Sequence, residues 1–217
     1  MKYDAILYDM DGTVLNTLGD LTDSVNYALA HFSFPPVDSR KVAGFLGNGA
    51  KRLLTLSCPE GTDEAVIEEI LAFYLPWYNE HCRIKTAPYD GIVGMMQKLK
   101  AMKVKQAVIS NKPDIAVKPL AEEFFPGLLE LAIGESREIR RKPAPDSVLA
   151  AAEQMNVPVD RCVYIGDSEV DIETAKNAGM DCIAVTWGFR SREQLVNSGA
   201  EIMVNSAEEL FEALTQE

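Results

Sequence analysis

Cysteine, histidine and positive charge are all scarce in this chain. Its four cysteines (Cys58, Cys82, Cys162 and Cys182) lie far apart with no C-x-x-C pair, which argues against a disulfide-stapled scaffold. Cys162 and Cys182 sit in apolar runs and read as buried thiols, so a reducing cytoplasm is the expected location. The two histidines, His31 and His81, have no partner ligands at metal spacing and read as structural. Lys and Arg number 21 against 33 Asp and Glu, a formal net charge of −12 with a pI near 4.7. Such a surface repels phosphate backbones and anionic membranes, so neither nucleic acid nor a membrane is an expected partner. No uncharged apolar run approaches the roughly 18 residues that a membrane helix needs. The N-terminus carries one lysine and then acids, without a small-residue cleavage site, unlike a signal peptide.

What the chain does have is core-forming capacity. Its 217 residues are 47% hydrophobic, enough for one large or two modest domains. Six short apolar runs read as strands: Ala5–Asp9, Gln106–Ser110, Leu131–Gly134, Cys162–Gly166, Cys182–Thr186 and Ile202–Val204. Most are continuously apolar, as strands covered on both faces should be. Helical stripes separate them, such as Ile92, Met95, Met96, Leu99 and Met102, or Val148, Leu149, Ala152 and Met155. The alternation predicts an α/β fold with a doubly wound, Rossmann-like parallel sheet.

One region breaks the pattern. From about Leu18 to Cys82 there are helical stripes and no convincing strand, with the glycine-rich "GFLGNGAKRLL" (Gly44–Leu54) between them. That is too long for a crossover loop. It predicts a small helical cap domain at 17–82, inserted into a core made of 1–16 and 83–217.

Chemistry gathers where the strands end. In an open α/β sheet, ligands bind beyond the carboxyl ends of the strands. The first tip offers Asp9 and Asp11, the second Ser110 and Asn111, and the fourth "GDSEVD" with Asp167, Glu169 and Asp171. Lys142 follows the third strand in "RRKPAPD". Residues two apart on a strand face the same way, about 7 Å between Cα atoms. Two ionised acids at that distance repel by roughly 2 kcal/mol at an effective dielectric of 20. Adding Asp167 and Asp171 calls for a cation, and hard oxygen donors without nearby His or Cys point to Mg²⁺. An acid with one oxygen free beside Mg²⁺ can attack an electrophilic phosphorus.

Each feature alone has an ordinary explanation. "DMDGT" can be a strand-terminating Asx turn, Ser110-Asn111 a helix cap, and Lys142 a solvated lysine. Their placement on successive tips outweighs those explanations.

The same residues carry a resemblance. "DMDGT", "ISN", the Lys142 of "RKPAPD" and "GDSEVD" resemble, in the usual order, the four motifs of the haloacid dehalogenase-like phosphohydrolases. "FLGNGAKRLL" and the re-entry "PYDGI" are similar to the phosphoglycolate phosphatase branch. The resemblance implies that Asp9 is the nucleophile forming an aspartyl-phosphate, and Asp11 the general acid and then base. It implies that Gly12, Ser110, the Asn111 amide and Lys142 face the phosphoryl group. Asp9, the Asp11 carbonyl and Asp167 would hold Mg²⁺, with Asp171 a ligand or an anchor behind it. Asn16 departs from the family, where an acid usually stands. Cap residues Asn48, Gly49, Lys51 and Arg52 are the expected substrate contacts.

The expected activity is hydrolysis of a small phosphate monoester, with 2-phosphoglycolate the leading candidate. The alternatives are a sugar phosphomutase or another small-metabolite phosphatase of this architecture. A non-catalytic phospho-acceptor of the receiver type is disfavoured, because it carries its acceptor acid on the third strand and has no helical insert.

Overall fold

Ala5, Ile6, Leu7 and Tyr8 form the first strand, β1 (Ala5–Tyr8), with every side chain buried. Ile6 and Tyr8 belong to one apolar cluster and Ala5 and Leu7 to another, so the strand is covered on both faces. That is why it reads as a continuous apolar run. The computed structural model describes residues 2–136 and 139–216. After β1 come β2 (Leu15–Asn16), α1 (Leu18–His31), α2 (Ser39–Phe45), α3 (Gly49–Ser57), α4 (Glu64–His81) and β3 (Ala87–Pro88). Then follow α5 (Ile92–Ala101), β4 (Lys105–Pro113), α6 (Asp114–Phe124), β5 (Leu131–Glu135) and α7 (Asp146–Gln154). The chain ends with β6 (Cys162–Gly166), α8 (Glu169–Ala178), β7 (Asp181–Val185), α9 (Arg192–Asn197), β8 (Ile202–Val204) and α10 (Ala207–Thr215).

Six strands form one parallel sheet in the order β5-β4-β1-β6-β7-β8. The chain winds outward from β1 through β4 to β5, then crosses back to β6 on the other side. β1 therefore stands where the winding reverses, the position at which an α/β sheet opens a crevice beyond its carboxyl edge. Asp9 and Asp11 follow β1 directly, so topology alone delivers them to that crevice. The doubly wound fold is as expected, with the helices on both faces.

Two apolar stripes need adjustment. Met102 caps the end of α5 and is 48% exposed, and Leu149 of α7 is 37% exposed. The buried face of α7 is instead Val148, Ala151, Ala152 and Met155.

Four helices, α1 to α4, stand between β2 and β3. α1 packs on α2 and α4, and α3 on α2 and α4. Tyr27 stacks on Trp77 at 3.6 Å, and His31 on Phe73 at 4.0 Å. His81 stacks on Trp77 and contacts its carbonyl through Nδ1 at 2.8 Å, so both histidines are structural. The glycine-rich stretch is not one long loop, because Asp38 caps α2 and Gly49 already begins α3.

The two crossings into this insert are stitched together twice. β2 and β3 pair antiparallel, Leu15 with Pro88 and Asn16 with Ala87. Asn16 is exposed in that ribbon, at the crossing into the insert. Beside it the buried Asp20, in the first turn of α1, accepts hydrogen bonds from the backbone of Ile84, Lys85 and Thr86 at 2.9–3.1 Å and from the Thr86 hydroxyl at 2.8 Å. One carboxylate gathers the donors of the returning chain. Asp20→Ala strands the two buried Thr86 donors and frees those of Ile84 and Lys85, and should lower stability by about 3 kcal/mol, which for a chain of this size is about 6–12 °C in Tm. A calorimetric loss within about 2 °C of wild type would show that the clasp is dispensable.

Candidate active site

The Asp9 backbone N–H donates to the Ile165 carbonyl at 2.8 Å, which extends the β1–β6 ladder and holds the residue at the sheet's edge. Its Oδ1 receives the Lys142 ammonium at 2.8 Å. Lys142 Nζ also reaches Asp171 Oδ1 at 2.7 Å and the Tyr164 hydroxyl at 2.8 Å. Tyr164 passes its own proton to the Ile109 carbonyl at 3.0 Å. All three ammonium donors are therefore used. Asn111 fixes the Lys142 backbone, accepting from its N–H at 2.8 Å and donating to its carbonyl at 2.9 Å.

Asp9, Asp167 and Asp171 each bring an oxygen to within 4.8 Å of the others, and all three are buried. Asp171 sits in the first turn of α8, where Oδ2 accepts from Asp167 N–H, Ser168 N–H and the Ser168 hydroxyl at 2.7–3.2 Å. With Oδ1 on Lys142, both its oxygens are engaged, which suits an anchor behind the ligand set. Asp167 accepts from the Thr13 hydroxyl at 3.0 Å and from Phe189 N–H at 2.7 Å. A Cβ at Gly12 or Gly188 would overlap the Asp167 carboxylate, and one at Gly166 would overlap Asp171. Three glycines thus let the backbone close around the acids, and Gly12 does so at φ +87°.

Burial pushes the Asp9 carboxyl up to about 7, with Asp171 and Asp11 adding to the rise and Lys142 opposing it. Burial, then Asp171 and Asp9, also raise Asp167 well above the usual carboxylate range. Burial works against the Lys142 ammonium, but Asp171 and Asp9 outweigh it and hold its pKa well above normal. Three close carboxylates with one ammonium among them are an electrostatically unfavourable set. A hard divalent cation among these oxygens would relieve it, and the donors fit one: carboxylates only, with no His or Cys.

Asp11 lines the cavity between the strand tips and the insert. Its Oδ1 lies 2.9 Å from Lys112 Nζ, an ion pair without hydrogen-bond alignment. Lys112 is itself buried and donates to the Tyr78 hydroxyl of α4 at 2.6 Å. Ser110 lines the same cavity, and its hydroxyl accepts from Lys112 N–H at 3.2 Å.

Gly12 N–H donates to the Leu15 carbonyl at 2.9 Å, and the missing side chain of this glycine yields space to Asp167. The Asn111 side chain ties Lys142 to the insert, donating to the Gly47 carbonyl at 2.9 Å. Gly47 and Gly49 do line the cavity, but Asn48, Lys51 and Arg52 do not. Asn48 offers only its carbonyl, to Arg141 at 3.1 Å. Lys51 turns along the insert to pair with Glu64 and Glu68, and Arg52 is exposed, because α3 presents them on its outer face.

Among the described residues, the cations that line the cavity are Lys112 and Arg190. Arg190 holds Glu169 through two nitrogens at 2.7 and 3.0 Å and donates to the Ala43 and Leu46 carbonyls at 2.9 and 2.8 Å. Both residues follow apolar strand runs, so reading those tips further would have reached them. Tyr78, by contrast, looks in sequence like any apolar position on a helix.

Similarity to known proteins extends along nearly the whole chain. The family described as haloacid dehalogenase-like hydrolase matches residues 6–185. A phosphoglycolate phosphatase of Colwellia psychrerythraea is 30% identical, covering 97% of this chain and 96% of the relative. An N-acetylmuramic acid 6-phosphate phosphatase of Pseudomonas aeruginosa is 28% identical over 99% of this chain and 96% of its own. A crystal structure from Lactobacillus delbrueckii subsp. bulgaricus, provisionally titled a phosphoglycolate phosphatase, is 42% identical with a TM-score of 0.95, each chain fully covered. With its parallel sheet, its acids at the reversal point and this match, the chain belongs to the haloacid dehalogenase-like hydrolase family, as a phosphoric monoester hydrolase.

Proposed function

We propose that this hydrolase is a Mg²⁺-dependent phosphatase that transfers the phosphoryl group of a small monoester to Asp9 and then to water, with 2-phosphoglycolate the leading substrate. The observation that carries the reading is the division of labour between Asp9 and Asp11. Lys142 holds one oxygen of Asp9, and the other has no protein partner among the described residues. That oxygen is the nucleophile. Asp11 stands at the cavity, where it protonates the departing oxygen and then takes a proton from the attacking water. Ser110 contributes a hydroxyl to the phosphoryl oxygens. Asp9, Asp167 and the Asp11 carbonyl are the residues that would hold Mg²⁺, with Asp171 orienting Lys142 behind them. When bound, the ion supplies positive charge to the phosphoryl oxygens and to the acids. The helical insert acts as a cap that keeps bulk water from the acyl phosphate. The names of both curated relatives describe phosphate esters of organic acids, which supports a carboxylated substrate.

The decisive assay is phosphate release from a panel that includes 2-phosphoglycolate, N-acetylmuramic acid 6-phosphate and hexose phosphates. Many turnovers per chain are expected, whereas a phospho-acceptor stops at one and a mutase releases isomer rather than phosphate. Asp9→Asn should show no measurable turnover with the circular dichroism spectrum intact. Asp11→Asn should fall about 10²–10⁴-fold, the range of general acid–base assistance. Wild-type rates in either variant would remove that residue from its role.

The raised Asp9 carboxyl has a second consequence. Its pKa lies near 3.8 ordinarily and at about 7 in the fold. Between those values the folded, metal-free chain keeps a proton that the unfolded chain releases, so this group's stability contribution declines as pH rises through that window. Mg²⁺ binds the deprotonated form. The gain in Tm from saturating Mg²⁺ over excess chelator should therefore be larger at pH 8 than at pH 5.5. An equal gain at both, or none, would contradict a cation site built on Asp9.

A further inference from the structure

Resting on the phosphatase reading above, we infer that Lys112 is the specificity residue that receives an anionic group carried by the leaving portion of the substrate, a carboxylate one carbon from the ester oxygen. The cations at and behind the cavity differ in the donors they have left to offer. Lys142 lies deeper, with its three donors on Asp9, Asp171 and Tyr164. Arg190 is committed to Glu169 and to two carbonyls of the insert. Lys112 lines the cavity with an ammonium only 3% exposed, and among the described residues it has two partners, Asp11 and Tyr78. An ammonium has three donors; the Tyr78 hydroxyl takes one and the Asp11 pairing is not aligned as a hydrogen bond, so at least one remains.

Position gives that donor a meaning. Lys112 Nζ is 2.9 Å from Asp11 Oδ1, and Asp11 is the group that meets the ester oxygen. A carboxylate one carbon beyond that oxygen falls within reach of the same ammonium. Leu46, Leu53, Tyr74 and Leu75 make much of the remaining lining apolar, and among the described residues they bring no rival cation for the anion. Tyr78 fixes where the ammonium points, with its hydroxyl at 2.6 Å and its ring centroid 4.7 Å from Nζ. Because α4 brings Tyr78, the anion receptor is complete only when the insert is docked on the sheet. A buried, charge-assisted contact of this kind discriminates strongly, because a neutral analogue leaves the ammonium without its anion.

The test compares 2-phosphoglycolate with 2-hydroxyethyl phosphate, which replaces the carboxylate by a neutral alcohol. The readout is the ratio of their kcat/KM values, so any general damage to Asp11 cancels. In Lys112→Met the ratio should fall about 30-fold, or about 2 kcal/mol at 1.4 kcal/mol per tenfold. Lys112→Arg keeps a cation and should retain most of the wild-type ratio. A ratio unmoved in Lys112→Met, whatever happens to the two rates, would show that Lys112 serves only Asp11 or the fold. A wild-type enzyme indifferent to the carboxylate would also overturn the inference, while leaving the phosphatase reading standing. Should wild type release phosphate from neither ester, the substrate reading fails separately. Calorimetric binding of the same two compounds to wild type and Lys112→Met then decides the inference, a carboxylate preference lost in the variant supporting it and an equal preference in both overturning it.

Discussion

The placement of one ammonium, Lys142, governs the whole site. It is sealed at the carboxyl edge of the sheet, where an unpaired charge would be prohibitive, and it persists because Asp9, Asp171 and Tyr164 surround it. Each partner extends the constraint. Tyr164 carries it to the Ile109 carbonyl on β4, and Asp171 carries it into the first turn of α8 and to the backbone of Asp167. A single side chain thus sets the relative positions of β1, β4, β6 and α8. The charges do not close, however. Four strand-tip acids, Asp9, Asp11, Asp167 and Asp171, face two ammoniums, Lys112 and Lys142, a difference of two negative charges when all are ionised. Protons on Asp9 and Asp167 are one way to settle the difference, and their raised pKa values express it. A dication is the other.

Much of this was legible in the sequence, and the reasons differ from element to element. The six sheet strands announce themselves as continuous apolar runs because both faces of the sheet are covered. Asp9 and Asp11 stood out because two acids end such a run, and Asp167 because the same happens at β6. The β2–β3 ribbon was not legible, since two-residue strands carry no period. The helix boundaries within Gly44–Leu54 were masked by its glycines, whereas Leu53 and Leu54 bury themselves and make Gly49–Ser57 a helix.

The harder misses are the buried charges. Sequence patterns treat a lysine or arginine as a surface residue, and Lys51 and Arg52 do lie outward. Lys112 and Arg190 lie inward because β4 runs past Ser110 to Pro113 and the segment after β7 folds back over Asp167. Neither event has a local signature. Asp20 belongs to the same class, a buried acid justified by backbone and hydroxyl donors more than sixty positions along the chain.

Apart from the Tyr78 hydroxyl held by Lys112, the core grips the insert through backbone carbonyls. Arg190 takes the carbonyls of Ala43 and Leu46, Asn111 that of Gly47, and Arg141 that of Asn48. Every residue type supplies a carbonyl, so this docking places few demands on side-chain identity in that stretch of the insert. The Ala43 and Leu46 carbonyls close α2, where helix geometry leaves acceptors without intrahelical partners, so a guanidinium finds them ready. Two of the gripping residues are also tied to the chemistry. Asn111 holds the backbone of Lys142, and Arg190 holds Glu169 at the start of α8, two residues from Asp167. Docking of the insert and alignment of the acids are therefore mechanically linked, while the cavity wall that meets the substrate remains free to vary in shape.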